Sequence, residues 1–363
     1  MKLRNMNKYC VVGILVPLMG AATAAAADWP VPEGGLKPVV VTSSNAATSA
    51  TANQLLVYDS SGNLLQTVST GGKGGVSGNA GGIEALGGTV AVVNYGSQNV
   101  SIFDRDFDGF HMQQLVAAAS SPVSVAFGNG HLYILGTTKV ESHPMYGLFG
   151  SEVSSSADGT ASLLFGDGSA AQVGVLPGQL IVTEKGGTKN NTYGTIETVG
   201  LTAGGAVTGV ATAVQNIPAN PNAPFGLVTR GDDAYVTIAH SNEIALVRDG
   251  KVLTVTGSGT QNAPCWLALE GPFLFSSNSP SMSVSRYAVY GQKIVHNAAV
   301  AAGLSGDPTD IATAGGLVAV IDGSGHLSIF TVDEDGNLTL VKAAAIGAAS
   351  NGVSVVSGGG FLP

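Results

Sequence analysis

Apolar and polar positions along this chain alternate over short distances, and the three-to-four spacing of amphipathic helices is nearly absent. Runs such as "TVAVV" (89–93) and "NVSIF" (99–103) are rich in β-branched residues and bounded by Gly, Asn, Ser or Asp, which predicts strands joined by tight turns. The runs come in groups. "GGIEALGGTVAVVNYGSQNVSIFDRDFDGFHMQQLVAAA" (81–119) reads as strand, glycine turn, strand, polar corner, strand, hairpin, strand. The same order restarts at "SPVSVAFGNGHLYILGTT", "AAQVGVLPGQLIVTEK", "APFGLVTRGDDAYVTIAHSNEIALVRDG", "APCWLALEGPFLFSSN" and "DPTDIATAGGLVAVIDGSGHLSIF". A restart every roughly 40–50 residues is the period of propeller blades, each a four-stranded sheet.

Six complete units occupy about residues 80–346. The remainders complement each other: "PVVVTSS", "QLLVYD" and "LLQTVS" are a second, third and fourth strand without a first, and "NGVSVV" near the C-terminus is a first strand without the rest. Joined, they make a seventh blade and remove the free sheet edges that invite aggregation. The expected fold class is therefore all-β: a seven-bladed β-propeller with four antiparallel strands per blade, its ring closed by N-terminal and C-terminal strands in one blade. Residues 28–363 are expected to form that single domain.

The first 27 residues read differently. "MKLRNMNKY" is basic, "CVVGILVPLMG" is apolar, and "ATAAAA" ends in small residues, the order of a secretory signal cleaved after Ala27. The apolar stretch is too short to span a bilayer, and no later run is long enough. The chain carries 15 Lys and Arg against 24 Asp and Glu, a net charge of −9, and loss of Lys2, Arg4 and Lys8 with the leader makes it more acidic still. Such a surface repels nucleic acid and anionic lipid. Of the two cysteines, Cys10 lies in the leader, leaving Cys265 without a disulfide partner. The expectation is a periplasmic or secreted monomer, held together by its core.

The glycine stretch "TGGKGGVSGNAGG" (70–82) imitates a phosphate loop, but Lys73 is followed by Gly74 and no helix follows, so the helix N-terminus that would hold a phosphate is missing. It reads as the link between two blades. "DRDFDG" (104–109) imitates the start of a calcium loop, yet Leu115 stands where a bidentate Glu is needed. The histidines show no ligand spacing, Cys265 has no partner, and no Gly-x-Ser-x-Gly elbow is present. Neither a metal nor a cofactor is expected.

In a propeller the links from fourth to first strands and the corners between second and third strands share one face. Links here offer Asn79, Asp307 and Asp310. Corners offer Asn94, Glu184, Lys185, His240, Asn278 and Asp322. Most such residues are ordinary turn formers. Glu184 and His240 differ, since carboxylate and imidazole transfer protons near neutral pH and the two fall at matching corners of adjacent blades. They are the candidate catalytic pair, with Lys185, Asn94, Asn278 and Asp322 as candidate substrate-binding groups.

The motifs "QNAPCWLALEGPFLFSSNSPSMSVSRY", "NYGSQNVSIFDRDFDG" and "HLSIFTVDEDGNLTLV" resemble blades of the lactonase-type seven-bladed propellers. These are related to YVTN-repeat proteins and include bacterial proteins labelled 6-phosphogluconolactonase or carboxymuconate cyclase. The resemblance runs through the mature chain and implies lactone hydrolysis at the channel mouth. Family members often carry a Pro-Arg-His run before an inner strand, whereas the links here read "GNAGGIE", "SSPVS", "NAPFG", "NAPCW" and "DPTDI", without cations to hold a phosphorylated sugar. Two functions stay open: an exported hydrolase of a small neutral lactone, with Glu184 as base and His240 as acid, or a non-catalytic exported propeller that binds a protein, glycan or small ligand.

Overall fold

A computed structural model describes residues 36–45, 51–147, 152–217 and 222–357. The expected leader, 1–27, lies outside them. Among the described residues the strands form seven antiparallel sheets. Blade 1 combines Asn351–Val356 with Val39–Ser43, Gln54–Asp59 and Leu64–Ser69. Blade 2 runs Ile83–Leu86, Thr89–Asn94, Asn99–Asp106 and Gly109–Ala117. Blade 4 runs Ala170–Leu176, Gln179–Glu184, Thr195–Leu201 and Val207–Ala213. Blades 5, 6 and 7 begin with Pro224–Arg230, Pro264–Glu270 and Pro308–Ala314 and repeat the plan. Blade 3, starting at Pro122–Gly128, departs from it. Its third strand, Lys139–Tyr146, pairs both with Gly159–Ser162 and, beyond that, with a short strand Glu152–Val153, an extension that the repeat pattern does not predict.

The inner strands touch one another in sequence around the ring, and Asn351–Val356 sits between Pro308–Ala314 of blade 7 and Ile83–Leu86 of blade 2. Closure is as the two chain ends predict. Val39 pairs with Val356, Val40 with Val355, Val41 with Ser354 and Thr42 with Val353. The Thr42 hydroxyl adds a bond to the Gly352 carbonyl at 2.7 Å.

Alternation along each strand sends side chains to both faces of its blade, so the core lies between blades. Val40, Val41, Leu55, Ile102, Tyr133, Tyr235, Phe275 and Tyr287 are fully buried there, each worth about 1.5–3 kcal/mol in apolar area. Fourth strands are outermost and mostly exposed, as along Leu64–Ser69, where no residue is buried.

The glycine stretch is indeed the link from blade 1 to blade 2, and close approach explains its composition. A Cβ on Gly74 would stand 2.5 Å from the Asn45 carbonyl carbon, which is backbone and cannot step aside. Gly74→Ala is expected to cost about 1–3 kcal/mol as an overpacked site. Gly303→Ala, where a Cβ meets nothing within 4 Å, is the neutral control. Urea denaturation of the two variants measures the difference.

Candidate functional site

Each inner strand pairs with its blade on one edge only. The other edges face the axis and enclose a central channel of about 310 Å³. Small and apolar residues dominate its wall, among them Ala80, Val125, Gly174, Leu267, Ala312 and Val353.

The end expected to be the mouth is roofed. The link Val76–Gly82 turns inward, and blades far apart in sequence hold it there. Asn79 Nδ2 donates to the Val123 carbonyl at 2.6 Å, and the Ala80 amide donates to the Ala171 carbonyl at 3.1 Å. Trp266 Nε1 donates to the Asn79 carbonyl at 2.9 Å, and the Lys185 ammonium donates to the Gly78 carbonyl. Asn79, Ala80, Ala171 and Ala223 are consequently buried. At the opposite end Phe127, Val175, Thr229, Leu269 and Thr313 are half-buried. Among the described residues the channel thus opens toward the turns joining first and second strands, not toward the links and corners.

Two ionisable side chains line the channel, Glu84 and Asp310. Glu84 is the second residue of the blade 2 inner strand, and its carboxyl accepts no hydrogen bond within the described residues. Burial pushes its pKa from 4.5 to about 7. Asp310 stands on blade 7, across the blade 1 inner strand from Glu84, and is 4% exposed. It accepts from the Ile311 amide at 2.9 Å and from the Val353 amide at 3.3 Å. Burial raises its pKa to about 7 against those bonds, with repulsion from Glu84 adding to the rise. Sequence reasoning passed over Glu84. The available signal was a carboxylate inside the otherwise apolar "IEAL" strand. Asp310 was legible as a link residue, but its place inside the channel was not.

The candidate residues read from the corners do not converge. Pairing with the first residue of each inner strand sets their equivalence: Ala170 pairs with Glu184, Pro224 with Ile238, Pro264 with Asn278 and Pro308 with Asp322. The counterpart of Glu184 in blade 5 is therefore Ile238, and His240 lies two residues on, exposed in the turn Ala239–Ser241. Among the described residues no hydrogen bond or ion pair joins Glu184 to His240. Glu184 has no exposed surface. It accepts from the Gly166 amide at 3.3 Å and from Asn191 Nδ2 at 3.4 Å.

Asn94 ties blade 2 to blade 1, and Asn278 ties its own blade. Asn94 donates to Asn99 and to Ser101 at 2.7 Å and accepts from Thr70 and Asn53. Asn278 donates to Ser283 and to Ser285 at 2.8 Å and accepts from Ser276. Asp322 accepts from the amides of Ser324 and His326. All three are buried, and such satisfied networks specify a corner's geometry.

Below Glu184 lies Glu197, also without exposed surface. Its Oε2 accepts from the Leu164 amide at 3.0 Å, and its Oε1 has no hydrogen-bond partner among the described residues. Burial, then repulsion from Glu184, raises its pKa to about 8. Burial likewise raises that of Glu184 to about 7, with Asp167 adding to the rise. The two glutamates clamp the link 163–169 by its amides.

Four histidines face carboxylates: His111 with Asp106, His131 with Asp158, His143 with Glu141 and His326 with Asp322, at 3.0–3.4 Å. Among the described residues no group of three or more His, Cys, Asp or Glu side chains is placed to hold a metal ion. Burial pushes the Cys265 thiol up to about 12, far from the range of a nucleophilic thiolate. No helix among the described residues is long and apolar enough to cross a membrane.

No protein-family model matches the chain, and no curated protein matches it. Solved structures do. A functionally unknown protein from Desulfotomaculum acetoxidans superposes with a TM-score of 0.65 at 13% identity, over 89% of this chain and all of that one. Two proteins bearing the provisional name 6-phosphogluconolactonase follow. One, from Bacteroides uniformis, has a TM-score of 0.63 at 13% identity and covers 89% and 100% of the two chains. The other, from Bacteroides fragilis, has 0.61 at 16% identity and covers 88% and 98%. At these identities the likeness is one of fold.

Proposed function

We propose that the protein is an exported propeller that holds a small molecule in its central channel. One observation carries this reading: a cavity of about 310 Å³, within the usual size range of ligand sites, into which Glu84 presents a carboxyl without a hydrogen-bond partner among the described residues. At the other end the corner residues Asn94, Asn278 and Asp322 are instead engaged by hydrogen bonds to protein groups, and Lys185 holds the link at Gly78. Export is proposed from the leader, since an acidic chain with one mature cysteine suits an oxidising compartment without needing disulfides.

A thermal-shift screen against small charged and neutral molecules tests the channel. At least one class is expected to raise the melting temperature of the wild type and not that of Ala312→Phe, whose ring would fill the channel from the blade 7 inner strand. An unchanged response in that variant removes the reading.

The second reading is lactone hydrolysis, supported by the fold likeness to the two Bacteroides proteins and by a Glu184 carboxyl with pKa about 7. In it Glu184 activates water, His240 donates a proton, and Lys185, Asn94 and Asn278 steady the oxyanion. It requires the link 163–169 to leave Glu184 and His240 to swing inward. Turnover of a neutral lactone that drops in both Glu184→Gln and His240→Ala would favour it. No turnover would leave the binding reading alone.

A further inference from the structure

We infer that the channel's ligand is a small organic cation, an ammonium on a compact carbon body; this rests on the channel being the binding site. Among the described residues the wall contains no Lys, Arg or His, and both of its ionisable groups are carboxyls. They flank one strand, Asn351–Val356, from its two sides. Asp310 is oriented by the Ile311 and Val353 amides, while the Glu84 carboxyl accepts no hydrogen bond among the described residues. Free edges of the inner strands add backbone carbonyls, which suit an ammonium's hydrogens. Trp266, packed edge-on against Phe225 at 5.3 Å, is also among the residues of the wall.

Alternative charges fit poorly. A phosphate or carboxylate ligand would meet two carboxyls with no cation to offset them. A bare metal ion is poorly served, since among the described residues no group of three or more His, Cys, Asp or Glu side chains is placed to hold one. An ammonium with a short alkyl body satisfies both the charge and the largely apolar lining, which includes Ile83, Leu267 and Val353.

Binding is linked to protons. Burial and, at Asp310, the neighbouring Glu84 favour the protonated form and raise both carboxyls to a pKa of about 7. An ammonium favours the ionised form, so binding releases protons and tightens as pH rises from 6 to 8. Glu84 and Asp310 are the titratable groups that the seven inner strands present to the site among the described residues.

The test is calorimetric titration of the whole protein at pH 8 with three probes sharing one body: n-butylammonium, n-butanol and n-butyrate. The ammonium is expected to bind at least about tenfold more tightly than the alcohol, with butyrate weakest and a heat that varies with the ionisation enthalpy of the buffer. Glu84→Gln, and independently Asp310→Asn, are expected to bring the ammonium to within about twofold of the alcohol. If alcohol or butyrate binds as tightly as the ammonium, and Ala312→Phe abolishes that binding, the channel remains the site and the cation proposal falls. Ammonium binding that neither carboxyl substitution weakens also overturns it. Binding of all three probes that survives in Ala312→Phe removes the channel reading itself.

Discussion

Ending the chain at Ser350 is expected to abolish cooperative folding. The deleted strand, Asn351–Val356, is the inner strand of blade 1, paired along Val39–Ser43 and packed against the inner strands of blades 7 and 2. Its loss removes buried Val353, Val355 and Val356, at about 1.5–3 kcal/mol each. It also uncovers Val40 and Val41, strips the Val353 amide from Asp310 and leaves the edge of Val39–Ser43 unpaired. Together these rival the roughly 5–15 kcal/mol net stability of a typical domain. Circular dichroism melting and size-exclusion chromatography should give a broad transition and aggregated material. Because Val356 lies opposite Val39, moving residues 351–357 ahead of residue 36 through a short turn should restore a sharp melt. A truncated chain that stays monomeric with an unchanged transition would contradict the closure.

Stability should fall as pH rises from about 5 to 8, the reverse of the usual trend for salt-bridged carboxylates. Burial raises the pKa of Glu84, Glu184 and Asp310 to about 7 and that of Glu197 to about 8, from ordinary values of 4.5 for Glu and 3.8 for Asp. Between those limits the folded chain holds protons that the unfolded chain has lost. The stabilisation is full below the unfolded pKa values and disappears as pH climbs through 7 and 8. For fully buried Glu197 alone the effect is on the order of several kcal/mol. Glu197→Gln keeps an acceptor for the Leu164 amide and cannot ionise. Its melting temperature should therefore exceed the wild type's at pH 8 and match it near pH 5. A wild-type melting temperature that rises from pH 5 to 8 would refute the account.

The propeller was legible because its signals are local. Alternating "TVAVV" and "NVSIF" runs, glycine turns and Pro-led inner strands recur with a fixed period, and each needs only its own neighbours to be read. Even closure was legible, since a blade missing its first strand and a lone first strand can only complete each other. The blade 3 extension was not, because Glu152–Val153 is too short to carry a pattern.

The site was much less legible. Asn94, Asn278 and Asp322 have the composition of ligand-binding corners, but hydrogen bonds to protein groups engage them, within the blade for Asn278 and Asp322 and across to blade 1 for Asn94. His240 matched Glu184 in the approximate repeat, yet strand pairing puts Ile238 at that place, an offset of two residues that the repeat alone does not resolve. Glu84 drew no notice because a single carboxylate in a strand says nothing about what it faces.

The sequence by itself determined the strands, their grouping into blades and the joining of the two ends, since these follow from side-chain alternation and turn chemistry among near neighbours. Only the tertiary structure decided that the link Val76–Gly82 roofs the channel and that Glu84 and Asp310 share its interior. Those facts depend on contacts such as Trp266 with Asn79, 187 positions apart, and on burial by seven sheets at once. The ionisation of a carboxyl responds to that collective environment, which no local stretch of chain contains.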